Sequence, residues 1–158
     1  MNNRKSFIIG IKSTKLSIIE KAFLKKYKPW GVILFTRNIK SIDQASKLTS
    51  SIRRIFNDKK YPILIDQEGG RINRLKNIIS FDNLTSEFFG NKYIKNYKEF
   101  KFIYKLFIEK TSYLLKLIGT NINTTPVLDL RVKGGSSVIG DRSFSKGPRI
   151  VWKIGDFC

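Results

Sequence analysis

Short, continuous apolar runs alternate along this chain with longer stretches of helical periodicity, and few folds accept that alternation. Ser6–Ile11, Trp30–Phe35 and Tyr61–Ile65 are rich in β-branched and aromatic residues with little polar alternation, the pattern of strands buried on both faces. Between them, Leu16–Tyr27 reads as a helix with Ile19, Phe23 and Leu24 inward. A second helix opening at Ser41 brings Ile42, Ala45, Leu48, Ile52 and Ile55 near helical spacing. A loop with a short helix around Ser86–Phe89 follows. Tyr97–Ile118 is then a long amphipathic helix, with Phe100, Ile103, Phe107, Leu114 and Ile118 inward and Lys98, Lys101 and Lys105 outward. Gly119 suits the position just past its end. A fourth strand is predicted at Pro126–Leu130, then a Gly- and Ser-rich loop from Arg131 to Pro148 and a last helix from Arg149.

Strand and helix in alternation, with buried strands, predict an α/β protein built on a parallel sheet. In such folds ligands bind beyond the carboxyl ends of the strands. Polar residues gather there: Arg37 and Asn38 after the second run, Asp66 to Glu68 after the third, and Asp129 at the end of the fourth.

Composition removes several chemistries. The 158 residues include no histidine, which excludes Ser-His-Asp triads, imidazole bases and His-ligated zinc within this sequence. One cysteine, Cys158, cannot close an internal disulfide. A hydrophobic fraction of 41% argues against disorder. The net charge of +19 raises nucleic acid as a partner. However, the lysines are scattered from Lys5 to Lys153, and lysine (22), isoleucine (23) and asparagine (11), all with AT-rich codons, are inflated together. The charge is read as compositional drift, and nucleic acid is not the expected partner. The apolar run Phe7–Ile11 is shorter than the roughly 7–15 residues of a secretory core. No stretch reaches the roughly 18 apolar residues of a membrane span. A cytoplasmic protein without a membrane partner is expected.

The densest signal is Ile63-Leu-Ile-Asp-Gln-Glu-Gly-Gly-Arg-Ile-Asn-Arg-Leu75. A strand delivers Asp66 and Glu68 beside Gly69-Gly70, where the backbone can turn tightly, and Arg71 and Arg74 follow. Carboxylates and guanidinium groups together suit sugar hydroxyls and acids through charge-assisted hydrogen bonds. The same spacing also fits a Gly-Gly turn carrying a structural Asp–Arg pair. A second signal joins Pro126-Val-Leu-Asp-Leu130 to Val138-Ile-Gly-Asp-Arg-Ser-Phe144. There Asp141 and Arg142 sit in a loop flanked by glycine. Spacing alone does not cast Asp66, Glu68 and Asp129 as the acid and nucleophile of a two-carboxylate hydrolase, nor as a magnesium site. No catalytic residue and no metal ligand is assigned.

Gly31-Val-Ile-Leu-Phe-Thr-Arg-Asn-Ile39, Ile65-Asp-Gln-Glu-Gly-Gly-Arg71, Pro126–Leu130 and Val138–Phe144, in this order, resemble glycoside hydrolase family 3, most closely its bacterial β-N-acetylhexosaminidases of peptidoglycan recycling. The resemblance implies a (β/α)8 barrel of which residues 1–158, as a partial N-terminal catalytic domain, cover about four βα units, the N-terminal half. Such barrels need about 250 residues and eight strands. It implies retaining hydrolysis of terminal β-linked N-acetylglucosamine from muropeptides, without a cofactor. Asp66, Arg74 and Arg142 match residues that bind the sugar. The family's acid/base histidine loop and nucleophilic aspartate have no counterpart here, so the chain is expected to be a catalytically silent fragment of a full-length monomer. Two alternatives stand beside this reading. One is a complete basic α/β module binding an anionic partner, either nucleic acid or a cell-wall polymer. The other is a family 3 β-glucosidase relative.

Overall fold

In the computed structural model, which describes residues 4–157, the alternation becomes four parallel strands in the order of the sequence. These are β1 (Lys5–Gly10), β2 (Pro29–Leu34), β3 (Ile63–Ile65) and β4 (Ile122–Asn123). The helices are α1 (Ile18–Tyr27), α2 (Ile42–Phe56), α3 (Ser86–Lys95), α4 (Tyr97–Ile118) and α5 (Pro148–Phe157). Cys158, the lone cysteine, lies outside the described residues. Internal contacts divide the chain into two compact units. The first holds the residues up to Asp66 together with Arg74–Ile79 and Tyr113–Asn123; the second holds Gln67–Asn73, Ser80–Ser112 and the residues from Thr124 onward.

In the first unit, local chemistry sets the helix ends. The Ser17 hydroxyl accepts from the Glu20 amide while the Glu20 carboxylate accepts from the Ser17 amide, a reciprocal cap that starts α1. Ser41 caps α2 through the Gln44 amide. Lys28 and Asn57 take left-handed conformations that stop α1 and α2. The sheet pairs Val32 with Ile63, Leu34 with Ile65 and Leu64 with Ile122. Val32, Leu34, Leu48, Ile52, Tyr61 and Ile63 pack as one buried cluster, and Ile39, Ala45, Ile65, Leu75, Leu115 and Ile118 as another. Alternation of apolar runs and amphipathic helices thus produced the α/β parallel sheet expected from it.

Three details depart from the sequence reading. β1 is not a buried strand: Phe7 and Ile8 are exposed, because among the described residues β1 is an edge strand with β2 as its sole ladder partner. Ile19, expected inward, is 81% exposed while Leu24 is buried. Five residues at 3.6 per turn place these two about 140° apart around the helix, so one face cannot hold both. The fourth strand is Ile122–Asn123, and Pro126–Leu130 is not a strand. β3 is three residues long and its last residue, Ile65, already pairs with Asn123; Pro126 brings no amide proton to extend the ladder. Asn121 fixes where β4 begins. Its side chain accepts from the Ile63 amide (2.7 Å) and donates to the carbonyls of Lys60 and Tyr61.

The second unit is built on aromatic packing. Phe89, Phe100, Tyr104, Phe144, Val151 and Ile154 form its core, with the Phe89 and Tyr104 rings 4.7 Å apart and those of Phe100 and Tyr104 at 5.2 Å. α3, expected as a short helix ending near Phe89, runs on to Lys95. Gly90 is a weak helix former. Here its missing side chain admits the Phe144 carbonyl against the helix, and that contact outweighs the propensity.

Candidate functional site

The sugar-binding residues expected from the sequence fall into two groups, one in each unit. In the first, β3 ends at Ile65 and delivers Asp66, as the strand pattern predicted. The Asp66 carboxylate meets the Arg74 guanidinium at 3.5 Å (Oδ2 to Nη2), and both side chains keep about a quarter of their surface open to solvent, 27% and 22%. Phe35, the residue just past β2, lies under Arg74, whose guanidinium carbon is 5.3 Å from the ring centre. Arg37 approaches the same ring at 4.6 Å. Phe35 was read only as the end of a strand. An aromatic residue at the carboxyl end of a buried strand, in a fold that binds ligands there, was the available signal.

Arg37 and Asn38, the polar pair after β2, serve the scaffold. Arg37 Nε donates to the Ile11 carbonyl at 3.0 Å, and the buried Asn38 amide donates to Ile11 and Ser13. They tie down the chain as it leaves β1.

In the second unit, the residues after Asp66 turn back on themselves. The Glu68 amide donates to the Ile72 carbonyl and the Ile72 amide to the Gly69 carbonyl, closing a small hairpin. Gly69 (φ 92°) and Gly70 (φ 54°) hold the left-handed conformations this turn requires. A side chain at Gly69 would strike the Leu84 carbonyl, and one at Gly70 would come within 2.7 Å of Thr85. The Gly-Gly pair is therefore needed for both conformation and space.

This hairpin presents Glu68 and Arg71. Glu68, 7% exposed, grips Arg142 through two parallel hydrogen bonds, Nε to Oε2 and Nη2 to Oε1, each 2.8 Å. Arg71 donates from Nε to Asp141 (2.8 Å) and from Nη2 to the carbonyls of Ser137, Val138 and Ile139. The sequence leaves Glu68 and Arg71 open between gripping a ligand and a structural role at the Gly-Gly turn. The structure engages both with the protein itself. Asp129 does not end a strand; it lies in an exposed loop, where its carbonyl accepts from the Ser143 hydroxyl at 2.7 Å.

Against known proteins, residues 8–157 match the family described as glycosyl hydrolase family 3 N terminal domain. The chain belongs to glycosyl hydrolase family 3. Among its relatives in the family, the beta-hexosaminidase of Hydrogenovibrio crunogenus is 35% identical over 148 residues, which is 94% of this chain and 41% of that protein. The beta-hexosaminidase of Thioalkalivibrio sulfidiphilus is 31% identical over 145 residues, 91% of this chain and 41% of that protein. This family 3 chain thus spans well under half the length of these relatives. Its fold superposes on NagZ from Neisseria gonorrhoeae, solved in complex with N-trifluoroacetyl-D-glucosamine. The TM-score is 0.86 at 27% identity, over 98% of this chain and 45% of the other. A family 3 beta-N-acetylglucosaminidase from a Paenibacillus species gives 0.76 at 26% identity, over 96% of this chain and 28% of that one. The four parallel strands in sequential order are the architecture of half a (β/α)8 barrel. Among the described residues no helix is long and apolar enough to cross a membrane. Nor does any group of three or more His, Cys, Asp or Glu gather among them as a metal site.

Proposed function

We propose that this chain carries part of the sugar subsite of a β-N-acetylhexosaminidase, as a partial catalytic domain. Asp66, Arg74 and Arg142 would bind a terminal β-linked N-acetylglucosamine. The observation that carries this reading is the Asp66–Arg74 pair at the carboxyl end of β3, 3.5 Å apart and with about a quarter of each side chain open to solvent. A carboxylate and a guanidinium side by side at a strand's carboxyl end, both reached by solvent, are the groups that bind sugar hydroxyls through charge-assisted hydrogen bonds. The N-acylated glucosamine held by the gonococcal NagZ supports an acetamido sugar over plain glucose. Peptidoglycan fragments are the substrates we assign to the whole protein, and retention of configuration the stereochemistry. Without a histidine, these 158 residues hold no imidazole acid/base, and on their own they do not turn over.

Two measurements on the 158-residue chain test the proposal. A chromogenic N-acetylglucosaminide should be left intact, while calorimetric titration with N-acetylglucosamine should show binding that Asp66→Ala abolishes. Turnover that persists through purification and vanishes in Asp66→Ala would refute the silence of the chain. Binding that ignores Asp66→Ala, or no binding at all, would refute the subsite.

A further inference from the structure

We propose that Arg71 is a positioning residue: it locks the segment preceding Arg142 and thereby sets the direction of the Arg142 guanidinium. The part of this that concerns sugar rests on the reading of Arg142 as a sugar ligand.

The geometry converges on one short stretch. From Ser137 to Asp141, Arg71 takes three carbonyls and one carboxylate, at 2.6 to 3.1 Å. Nε holds the Asp141 carboxylate while the two hydrogens of Nη2 are shared among the three carbonyls, and because the guanidinium is a rigid plane this draws the stretch around one fixed fork. Two of those acceptors are shared with Arg142. The Val138 carbonyl also accepts from Arg142 Nη1 at 3.4 Å, and the Ile139 carbonyl also accepts from the Arg142 amide at 2.8 Å. The second bond closes the 3-10 turn Gly140–Arg142. Arg71 therefore holds the carbonyls that fix where Arg142 leaves the backbone, and Glu68 holds the far end of its side chain.

The stretch needs such a hold. Residues 131–138 are all exposed and include Gly134 and Gly135, with no regular element of their own. Gly140 takes φ 43°, and a side chain there would come within 3.3 Å of Arg71 Nη2, so the turn and the arginine are fitted to one another. The motif after β3 thus divides its labour. Asp66 and Arg74 pair with each other as the proposed binders, and Glu68 and Arg71 prepare a third binder that lies about seventy positions later in the chain. Lysine could not replace Arg71 fully, because a point charge with three rotatable donors lacks the planar fork.

The test uses the 158-residue chain and its Arg71→Met and Arg71→Lys variants. Hydrogen exchange should rise about tenfold or more for amides of 137–142 in Arg71→Met, with the core amides of α4 unchanged. The Arg142 Nε–H resonance, sharp when Glu68 and the turn both hold it, should broaden or shift in Arg71→Met and recover in part in Arg71→Lys. N-acetylglucosamine affinity should fall about fivefold in Arg71→Met, the cost of a ligand group no longer pre-set. Unchanged exchange, or an Arg142 Nε–H signal that ignores Arg71→Met, would overturn the inference whatever the sugar does. Sugar binding absent from the unaltered chain, with exchange and resonance responding as stated, would instead defeat the subsite reading and leave the hold of Arg71 on Arg142 established.

Discussion

Glu68→Ala removes the carboxylate that orients Arg142, and the structure sets the scale of the loss. Stripping one partner from a buried ion pair costs about 3–5 kcal/mol, mainly because the other charge stays behind without compensation. Glu68 is nearly buried, at 7% exposure, but Arg142 retains 23%, so water recovers part of that penalty. We expect a destabilisation of about 2–3 kcal/mol for Glu68→Ala. For Glu68→Gln, which keeps one acceptor oxygen and turns an amide donor toward the guanidinium, we expect about 1–2 kcal/mol. The two tryptophans allow the measurement to be local. Trp30 lies in β2 and Trp152 in α5, so a Trp30→Phe background leaves Trp152 as the reporting tryptophan. With a urea slope of about 1–3 kcal/mol/M, the Trp152 fluorescence midpoint should fall by about 1–2 M in Glu68→Ala. A double-mutant cycle with Arg142→Ala should return a coupling above about 1 kcal/mol. A midpoint within about 0.2 M of the parent, or additive single deletions, would show that the bidentate pair does not hold this turn.

Two further outcomes follow from packing and burial. Gly90→Ala should gain about 1 kcal/mol of helix propensity, yet the new methyl runs into the Phe144 carbonyl, and backbone cannot swing aside as a side chain can. The clash should win by about 2 kcal/mol, read as a lower Trp152 midpoint; a stabilised variant would refute the close approach. Tyr61, stacked on Phe56 at 3.9 Å and donating to the Pro29 carbonyl, has its phenol pushed by burial from 10.0 up to about 12, against a smaller opposing effect of Arg4. A folded pKa above the unfolded one means the stabilisation is complete below pH 10 and is lost as pH rises from about 10 toward 12. Absorbance at the tyrosinate band should show a late step near pH 12 that Tyr61→Phe removes, and its persistence in that variant would disprove the assignment.

Much of the scaffold was legible because it is local. α4 has the boundaries its periodicity predicts, and the Ser41 cap and the α2 core positions Ala45, Leu48 and Ile52 follow from spacing. Apart from Ile19, whose angle from Leu24 follows from helix geometry alone, the misreadings were those in which a partner decides. An apolar run such as β1 looks the same whether one neighbour or two flank it. Pro126–Leu130 has strand composition, yet β3 had no residue left to pair with it. At the candidate site, Asp66 and Arg74 could be named from the motif, and they do meet.

By itself the sequence determined the class of fold, the sheet edge at which charge gathers, and the absence of imidazole chemistry from these residues, since each depends on residue type and near-neighbour spacing. Only the tertiary structure decided how the charges are used. Four ionic side chains crowded into one motif are indistinguishable along the chain. In space, Asp66 and Arg74 meet each other at the end of β3, and Glu68 and Arg71 are committed to a loop some seventy residues away. That division is set by which long-range partner each side chain reaches.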